Sequence, residues 1–178
     1  WQTSELQKCS RDIVYFAETY LHTAVGDTKL KLSNKQASVL RRAFMHPRYL
    51  AKACRQFGKS TLIIILAIHA LLFGKDENIV VASTKQQQAQ WLADTCNAQL
   101  ELLPLWLGRL VERRGRVTRK YGNNSLNFVS AQPTLCGITP TVLLVDDLAF
   151  FDEHFWLSIW PVASGRNTRT TIFSTPKD

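Results

Sequence analysis

The sequence predicts an α/β fold in which a mainly parallel sheet is flanked by helices, and three stretches carry that prediction. Gly58-Lys59-Ser60 follows a short strand pattern at 49–54 and precedes the mostly apolar residues 61–73. Residues 79–82 and 141–145 are apolar runs typical of strands buried on both faces, and the second run ends in Asp146 and Asp147. Together these stretches predict a P-loop NTPase fold of the ASCE or RecA-like type.

Composition limits the kind of protein this can be. With 178 residues, 46% hydrophobic and 20% charged, the chain suits one globular domain, with N-terminal helices over 1–48 and a P-loop core over 49–178. The 22 lysines and arginines against 14 acids give a charge of +8, which is compatible with nucleic acid or nucleotide as a partner. The four cysteines lie far apart without a Cys-x-x-Cys pair, so we expect neither a zinc site nor a disulfide framework.

Two helices are predicted before the loop. Residues 4–24 show apolar positions at helical spacing, with Ser4 as the N-cap. Gln36 opens the second helix about twenty residues before the loop, where its amide could bind adenine. The alternative for Gln36 is an ordinary solvent-exposed position on a helix.

The loop at 53–61 predicts a phosphate site, although Ala53 replaces the first glycine of the usual pattern. In such a loop the backbone N–H groups surround the phosphates, Lys59 reaches the β and γ phosphates, and the Ser60 hydroxyl binds Mg²⁺. The β-branched run 63–65 favours a strand by propensity, but the length of the apolar segment favours a buried helix.

The middle of the chain predicts a long helix, a basic stretch, and a hairpin of residues 117–121 and 126–129 joined by Gly122-Asn123-Asn124. A helix capped by Ser83 or Thr84 is expected to run through Leu103, with Gln86-Gln87-Gln88 on its solvent face. Residues 109–120 carry six lysines or arginines against one glutamate. They could contact DNA phosphates, supply an arginine to a neighbouring subunit's ATP, or form a solvated strand edge. The candidates for that arginine are Arg109, Arg113, Arg114, Arg116 and Arg119.

The acids after the strand at 141–145 have two possible roles. Beside a P-loop, Asp146 would hold Mg²⁺ and Asp147 would orient or deprotonate the attacking water; otherwise the pair would form a turn with a helix cap. A helix ending before Pro161 and a last strand at 169–173 are expected to follow.

Five stretches, in order along the chain, resemble the N-terminal ATPase of the large terminase subunit of tailed bacteriophages, with the T-even type as the closest match. They are DIVYFAETY at 12–20, RQFGKST at 55–61, LELLP at 100–104, VDDLAF at 145–150 and STP at 174–176. Several of these matches lie outside generic nucleotide motifs, which makes the resemblance specific.

The resemblance implies a motor that packages double-stranded DNA, with a nuclease domain expected in the full-length protein and absent from this chain. It also implies residue roles. The nucleotide-binding residues would be Gln36, Cys54, Arg55, Gln56, Phe57, Gly58, Lys59, Ser60 and Thr61; the metal ligands Ser60 and Asp146; the catalytic residues Asp147, Arg55 and Lys59; and the coupling residues Ser174 and Thr175.

One position departs from the family pattern, because Asp147 stands where the family normally has a catalytic glutamate. Aspartate is one methylene shorter, so its carboxylate would fall about 1 Å short, a misplacement that can cost about 10²-fold in rate. Either the water shifts towards Asp147, Glu153 substitutes for it, or hydrolysis is slow.

By the same resemblance, the expected cofactors are ATP and Mg²⁺. The expected partners are double-stranded DNA, the portal or procapsid, the small terminase subunit and further copies in a ring, with a pentamer expected and no membrane partner. The place of action would be the cytoplasm of the infected bacterial host rather than the mature virion. Two alternatives are a helicase-like P-loop nucleic-acid translocase and a catalytically weak nucleotide-binding assembly module.

Overall fold

The computed structural model describes residues 2–23, 28–108, 111–130, 139–165 and 167–176. Within these residues the helices are α1 (Gln2–Arg11), α2 (Ile13–Tyr20), α3 (Asn34–Met45), α4 (Lys59–Phe73), α5 (Gln86–Glu101), α6 (Leu105–Gly108) and α7 (Glu153–Ala163). The strands are β1 (Arg48–Lys52), β2 (Asn78–Ser83), β3 (Glu112–Arg114), β4 (Thr118–Tyr121), β5 (Asn124–Ser130), β6 (Val142–Asp146) and β7 (Arg169–Ser174).

The strands form one sheet in the order β1-β7-β6-β2-β5-β4-β3. The first five strands in this order, which are β1, β7, β6, β2 and β5, are parallel to one another. Strand β4 pairs antiparallel with both β5 and β3. The predicted mainly parallel sheet and the predicted hairpin are therefore confirmed. Because β1, β2, β6 and β7 are parallel, the loops that follow them meet at one edge of the sheet, where α/β folds bind ligands.

Helix α4 lies at the centre of the larger hydrophobic cluster. Its residues 62–72 are all buried, including the β-branched run 63–65, so packing on every side outweighs strand propensity. Helices α2 and α3 contribute Ile13, Phe16 and Leu40 to the same cluster. The division into N-terminal helices and a P-loop core stays a prediction, since both parts share this cluster.

The long N-terminal helix predicted over 4–24 is wrong, because the chain forms α1 and α2 with a break at Asp12. The Asp12 carboxylate oxygen Oδ1 accepts hydrogen bonds of 3.0 Å from the backbone N–H groups of Val14 and Tyr15. Asp12 is thereby the N-cap of α2, and Ser4 lies inside α1 instead of capping it. Residue 24, the predicted end, lies outside the described residues.

Other element boundaries differ by a few residues. Helix α5 begins after Lys85 and not after Ser83 or Thr84, and it ends at Glu101. Helix α7 passes through Pro161, which lies in its last turn and removes only one backbone donor there. None of the helices in the described part of the chain combines the length and the apolar character needed to cross a bilayer.

Candidate active site

The loop between β1 and α4 requires unusual backbone angles at two residues. Gln56 has a φ of 65° and Gly58 a φ of 87°, and Gly58 directly precedes the first residue of α4. A Cβ at position 58 would lie 2.8 Å from Nε2 of Gln36, so both conformation and space favour glycine. The first turn of α4 directs its free backbone N–H groups towards this loop, as in helix N-termini that bind anions.

Lys59 is a buried cation at the base of the site, with 7% of its surface exposed. Its Nζ donates hydrogen bonds to the carbonyl oxygens of Ala53 at 3.3 Å and Cys54 at 3.1 Å. The carboxylate oxygen Oδ1 of Asp147 lies 3.9 Å from the same Nζ. The lysine therefore lies between the loop and the acids at the end of β6.

Asp146 is the buried centre of a polar chain whose other members are half-buried. Its Oδ2 accepts a hydrogen bond of 3.0 Å from Ser60 Oγ and another of 3.0 Å from Gln88 Nε2. Thr84 Oγ1 in turn donates to Gln88 Oε1 at 3.1 Å. Burial raises the pKa of Asp146, and the two hydrogen bonds act in the opposite direction.

The interpretation of Gln88 as part of the solvent face of α5 is wrong. Its amide is half-buried and reaches the Asp146 carboxylate, because β2 and β6 are neighbours and the loop after β2 turns towards β6. No local signal in the sequence indicated this contact, because it depends on which strands are neighbours.

Asp147 lies in the loop after β6, and its side chain contacts the end of β7. It adopts the left-handed conformation, with φ 60° and ψ 57°, which short polar side chains tolerate better than most. Its Oδ1 accepts hydrogen bonds from Thr175 N at 2.9 Å and Thr175 Oγ1 at 2.5 Å. Ser174 Oγ accepts a bond of 3.0 Å from Ala149 N.

The end of β7 is also bonded to the phosphate loop. The backbone N–H of Ala53 donates to the carbonyl oxygen of Ser174 at 3.0 Å. Ser174 therefore contacts the phosphate loop through its backbone oxygen. Thr175 contacts the loop after β6 through the Asp147 carboxylate. This arrangement brings the predicted coupling pair next to the predicted catalytic acid.

The oxygen atoms of Ser60 and Asp146 suit Mg²⁺. A hydroxyl and a carboxylate are ligands that this hard cation accepts, and it usually completes its coordination with substrate phosphates and water. No group of three or more His, Cys, Asp or Glu side chains able to hold a metal occurs among the described residues. A metal held by Ser60 and Asp146 would therefore depend on the nucleotide for further ligands.

Lys59, Ser60 and Asp147 line an open cleft of about 780 Å³, a volume within the usual range for small-molecule sites, whereas the buried Asp146 lies behind its wall. One wall comes from the loop and α4, including Arg55, Gln56, Lys59, Ser60 and Thr61; the other includes Thr84, Gln88, Trp91, Asp147 and Phe150. Arg55 and the free thiol of Cys54 are exposed. Asp147 thus belongs to the cleft, whereas Glu153 is exposed at the start of α7 and is not among the lining residues.

The Gln36 side chain contacts the loop but is engaged within the protein. Its Nε2 donates to the Phe57 carbonyl oxygen at 2.8 Å, and its Oε1 accepts from Ser33 N at 2.9 Å. The second bond belongs to a capping box that begins α3 at Asn34, two residues before Gln36. Gln36 is therefore not simply solvent-exposed, and its contact with adenine stays a prediction.

Arg119 is wrong as a candidate for an arginine that acts on a neighbouring subunit. It is 1% exposed, and its guanidinium donates to Asn97 Oδ1 and to backbone carbonyls of its own hairpin. Arg113, Arg114 and Arg116 are exposed on that hairpin, at the edge of the sheet opposite β1. Arg109 lies outside the described residues.

A strand, a glycine-lysine-serine loop, a helix and a second parallel strand that ends in a buried acid define the class of P-loop NTPases. Residues 38–175 match the family described as "Terminase large subunit, ATPase domain". The chain belongs to this family of ATPase domains. The narrower resemblance to the T-even type stays a prediction.

Solved structures show the same fold at low sequence identity. The HK97 bacteriophage large terminase matches with a TM-score of 0.79 and 16% identity, over 93% of this chain and 37% of that one. A large terminase from a thermophilic bacteriophage, in complex with ATP-gamma-S, matches at 0.58 and 15%, over 81% and 38%. The UvsW helicase of bacteriophage T4 matches at 0.67 and 11%, over 93% and 59%. The chain thus spans little more than a third of the length of these two terminases.

Proposed function

We propose that this domain hydrolyses ATP to drive double-stranded DNA into a procapsid. The observation that supports it best is one cleft in which Lys59 faces Asp147, Ser60 bonds to Asp146, and Thr175 bonds to Asp147. Phosphoryl transfer depends mainly on positioning and charge neutralisation, and these side chains provide both at a phosphate loop.

The roles we assign follow from position in the cleft. The backbone of residues 54–61 surrounds the phosphates, Lys59 neutralises the β and γ phosphates, and the exposed Arg55 stabilises charge that develops on the γ-phosphate. Ser60 and Asp146 hold Mg²⁺, which supplies further neutralisation of the phosphates when bound.

Asp147 orients or deprotonates the attacking water in this proposal. Because Thr175 binds the same carboxylate, a change at the γ-phosphate would reach the end of β7 through one side chain. Ser174 would carry the same change to the loop through its bond with Ala53. This is the route by which hydrolysis would be coupled to movement of DNA.

The proposed cofactors are ATP and Mg²⁺, and the terminase complex with ATP-gamma-S from the thermophilic bacteriophage supports a nucleotide in this fold. The proposed partners are double-stranded DNA, the portal or procapsid, the small terminase subunit and further copies in a pentameric ring. We place the activity in the cytoplasm of the infected host and expect a nuclease domain in the full-length protein. Grip on moving DNA would rely on phosphate contacts, since these carry no sequence information.

The first experiment measures Mg²⁺-dependent ATP hydrolysis by this chain and by Lys59→Ala, at equal concentration, with and without double-stranded DNA. We expect turnover that DNA stimulates and that the variant lacks. Hydrolysis that persists in Lys59→Ala would contradict the assigned site. Activation by single-stranded DNA together with strand separation would favour the helicase-like alternative.

A second experiment separates the two candidate bases. Asp147→Asn removes the base but keeps a polar side chain of the same size, whereas Glu153→Gln makes the matched change outside the cleft. We expect Asp147→Asn to lose turnover while it still binds ATP-gamma-S, and Glu153→Gln to remain active. Loss of turnover in Glu153→Gln alone would transfer the role to Glu153.

One observation favours the assembly module as a second candidate function. Asp147 uses Oδ1 for both Thr175 donors, and these bonds compete with its action as a base. A domain that binds ATP tightly without turnover, in the assembled ring as well as alone, would support that function instead.

A further inference from the structure

A second cavity, of about 250 Å³, lies between the C-terminal end of α5, helix α6 and the β3–β4 hairpin, and we call it the hairpin cavity. It shares no lining residue with the nucleotide cleft. Helix α5 connects the two spaces, since Gln88 and Trp91 near its start line the cleft, whereas Asn97 and Glu101 near its end line the hairpin cavity. The hairpin cavity is therefore a separate candidate site.

The apolar wall of the hairpin cavity continues onto the protein surface. Leu100 and Leu103 are buried in this wall, whereas Leu105, which also lines the cavity, is 79% exposed. The neighbouring Leu102 is 43% exposed. An exposed apolar patch that polar residues surround is typical of an interaction surface, because a partner that covers it removes the leucines from water.

Backbone contacts fix the wall that α6 forms. Gly108 N donates to the Pro104 carbonyl at 2.9 Å, and Val111 N donates to the Gly108 carbonyl at 3.1 Å. A Cβ at position 108 would lie 3.1 Å from the Leu100 carbonyl oxygen and 3.1 Å from the Leu103 Cβ, so α6 approaches α5 closely at this glycine. The recess between the two helices is thus shaped by the fold itself.

The opposite wall of the hairpin cavity carries two arginines. Strand β3 pairs with β4 so that Arg113 lies opposite Arg119, and both residues line the cavity. Like charges directly opposite each other in a sheet are destabilising. Burial lowers the pKa of Arg119, and the charge of Arg113 acts in the same direction to a smaller degree. A negatively charged group bound beside them would offset this repulsion.

Arg113 is the exposed arginine of the hairpin that such a group can reach. Arg114 pairs with Glu112 at 3.2 Å, and Arg116 pairs with Asp94 at 3.8 Å. In the part of the chain that the structure describes, no carboxylate lies within 4.0 Å of Arg113. A guanidinium binds a carboxylate through two parallel hydrogen bonds, so Arg113 is suited to an acidic ligand.

An acidic peptide segment fits this combination better than DNA does. DNA phosphates would use Arg113 but would leave Leu102 and Leu105 in water, because the phosphate contacts of a duplex are polar. A peptide supplies a large apolar side chain and a carboxylate within two residues of each other. The volume is below the roughly 300–1,000 Å³ of pockets for whole drug-sized ligands, so it fits one or two side chains. Glu101 also lines the cavity and would repel a carboxylate beside it, which favours Arg113 as the contact.

We propose that the hairpin cavity binds an acidic segment of a partner protein. A leucine or phenylalanine side chain of the segment packs among Leu100, Leu103 and Leu105, and a neighbouring carboxylate binds Arg113. The inference does not rest on the proposed function, since no residue of the nucleotide cleft takes part. The partner would sit at the end of α5 that is remote from the nucleotide.

The test uses the fluorescein-labelled peptide GDELLEDG, whose binding is followed by fluorescence anisotropy. Two matched peptides separate the two contributions, because GDESSEDG lacks the leucines and GNQLLQNG lacks the carboxylates. We expect GDELLEDG to bind the unmodified chain with a Kd below about 1 mM. Each matched peptide should bind about tenfold more weakly or less well still, since a few anchoring groups carry most of the affinity.

Matched variants locate the site on the protein. Arg113→Gln and Leu105→Ser should each weaken GDELLEDG by about tenfold. Arg114→Gln changes an exposed arginine of the same strand, and Leu157→Ser changes an exposed leucine of α7; neither residue lines the cavity. At about 0.15 M salt, where exposed charges are screened, both controls should stay within about twofold of the unmodified chain. Thermal unfolding checks that all four variants are folded.

A second readout needs no variant. In NMR spectra of the chain labelled at its leucine methyl groups, GDELLEDG should shift the signals of Leu100, Leu103 and Leu105 and leave those of Leu62 and Leu144 unchanged. Lack of binding at about 1 mM, equal binding of the three peptides, or equal losses in Arg113→Gln and Arg114→Gln would overturn the inference. Competition by a short DNA duplex for the same leucine signals would also overturn it, because the cavity would then belong to a DNA-binding surface.

Discussion

Lys59 and Arg119 are both buried cations, but Lys59 lies in the nucleotide cleft and Arg119 stabilises a hairpin. Lys59 lines the nucleotide cleft, and its ammonium has the Asp147 carboxylate 3.9 Å away. Arg119 lies on β4, next to the end of the sheet that is remote from β1, where its guanidinium donates to three carbonyl oxygens of its own hairpin and to Asn97. No carboxylate of the described residues lies within 4.0 Å of Arg119.

Burial alone therefore does not identify a functional cation. Burial lowers the pKa of Arg119, and the more distant Asp94 and Glu101 act in the opposite direction. An arginine nevertheless remains protonated at neutral pH, so its charge is balanced by carbonyl dipoles of the turn that it closes. What distinguishes Lys59 is a cleft and a nearby acid.

Exchanging the two kinds of cation tests this difference, and the largest effect is expected at Lys59. In Lys59→Arg the bulky planar guanidinium replaces a compact ammonium that donates to Ala53 and Cys54. We expect turnover to fall about 10²–10³-fold, as for the loss of one transition-state donor, with little change in melting temperature. Steady-state ATP hydrolysis and thermal unfolding check both parts; near-normal turnover would show that any buried cation serves.

The reverse exchange, Arg119→Lys, should affect stability and not chemistry. Lysine cannot supply the same set of donors, so Asn97 and the part-buried carbonyl groups of the hairpin lose partners and the free energy of unfolding should fall by about 2–4 kcal/mol. Urea unfolding measures this loss, with Arg113→Lys on the exposed part of the hairpin as the control within about 0.5 kcal/mol. A fall in turnover per folded molecule would give Arg119 a role in the reaction.

Gln88 extends the comparison to a neutral side chain that contacts a proposed metal ligand. Gln88→Leu removes the bond to Asp146, and loss of such an outer-shell partner typically costs about 10–100-fold in metal affinity. We expect the Mg²⁺ concentration for half-maximal ATP hydrolysis to rise by that factor, while Mg²⁺-free nucleotide binding stays the same. Gln87→Leu, at the exposed neighbouring position, is the control; equal effects in both variants would refute the positioning role.

His69 is a third buried basic side chain, and it is not among the residues that line the nucleotide cleft. Burial among Phe16, Phe44 and Phe73 lowers the pKa of His69 from its usual 6.5 to about 4, while its Nε2 hydrogen bond to the Cys9 carbonyl opposes this. Between these values the unfolded chain binds a proton that the folded chain does not, so stability is complete above pH 6.5 and is lost as the pH falls towards 4.

The expected loss from His69 between pH 7.5 and pH 5 is about 2 kcal/mol. His69→Leu should be less stable at pH 7.5, because a cavity and an unpaired carbonyl remain, but its stability should depend less on pH over this range. Urea unfolding of both proteins at the two pH values provides the measurement. Parallel losses would mean that other groups cause the acid sensitivity.

The phosphate site could be predicted because its signals are local in the sequence. Gly58-Lys59-Ser60, the acids after β6 and the hydroxyls after β7 each stand at the end of an apolar strand pattern. Parallel strands bring such ends to one edge without any further information. The cap at Asp12 was local as well, but the apolar positions on both sides of it favoured one continuous helix.

Gln88 and Arg119 could not be predicted in this way, because their roles depend on which strands are neighbours. Gln88 reaches Asp146 only because β2 lies beside β6. Arg119 belongs to a strongly basic stretch, but β4 pairs it with the buried Leu126 of β5, which places it on the inner face. Composition indicates charge along the chain, whereas pairing decides which of those charges faces water.

The buried helix α4 has a mechanical consequence. It begins at Lys59 and is enclosed by other elements along residues 62–72, so it cannot shift without opening the core. Lys59 therefore projects from a helix that is packed on all sides within the described structure, and we expect its position to stay fixed while other elements move. If hydrolysis drives a movement as we propose, the elements across the cleft are the ones free to carry it, namely the turn around Phe150 and the segment from Thr84 to Trp91.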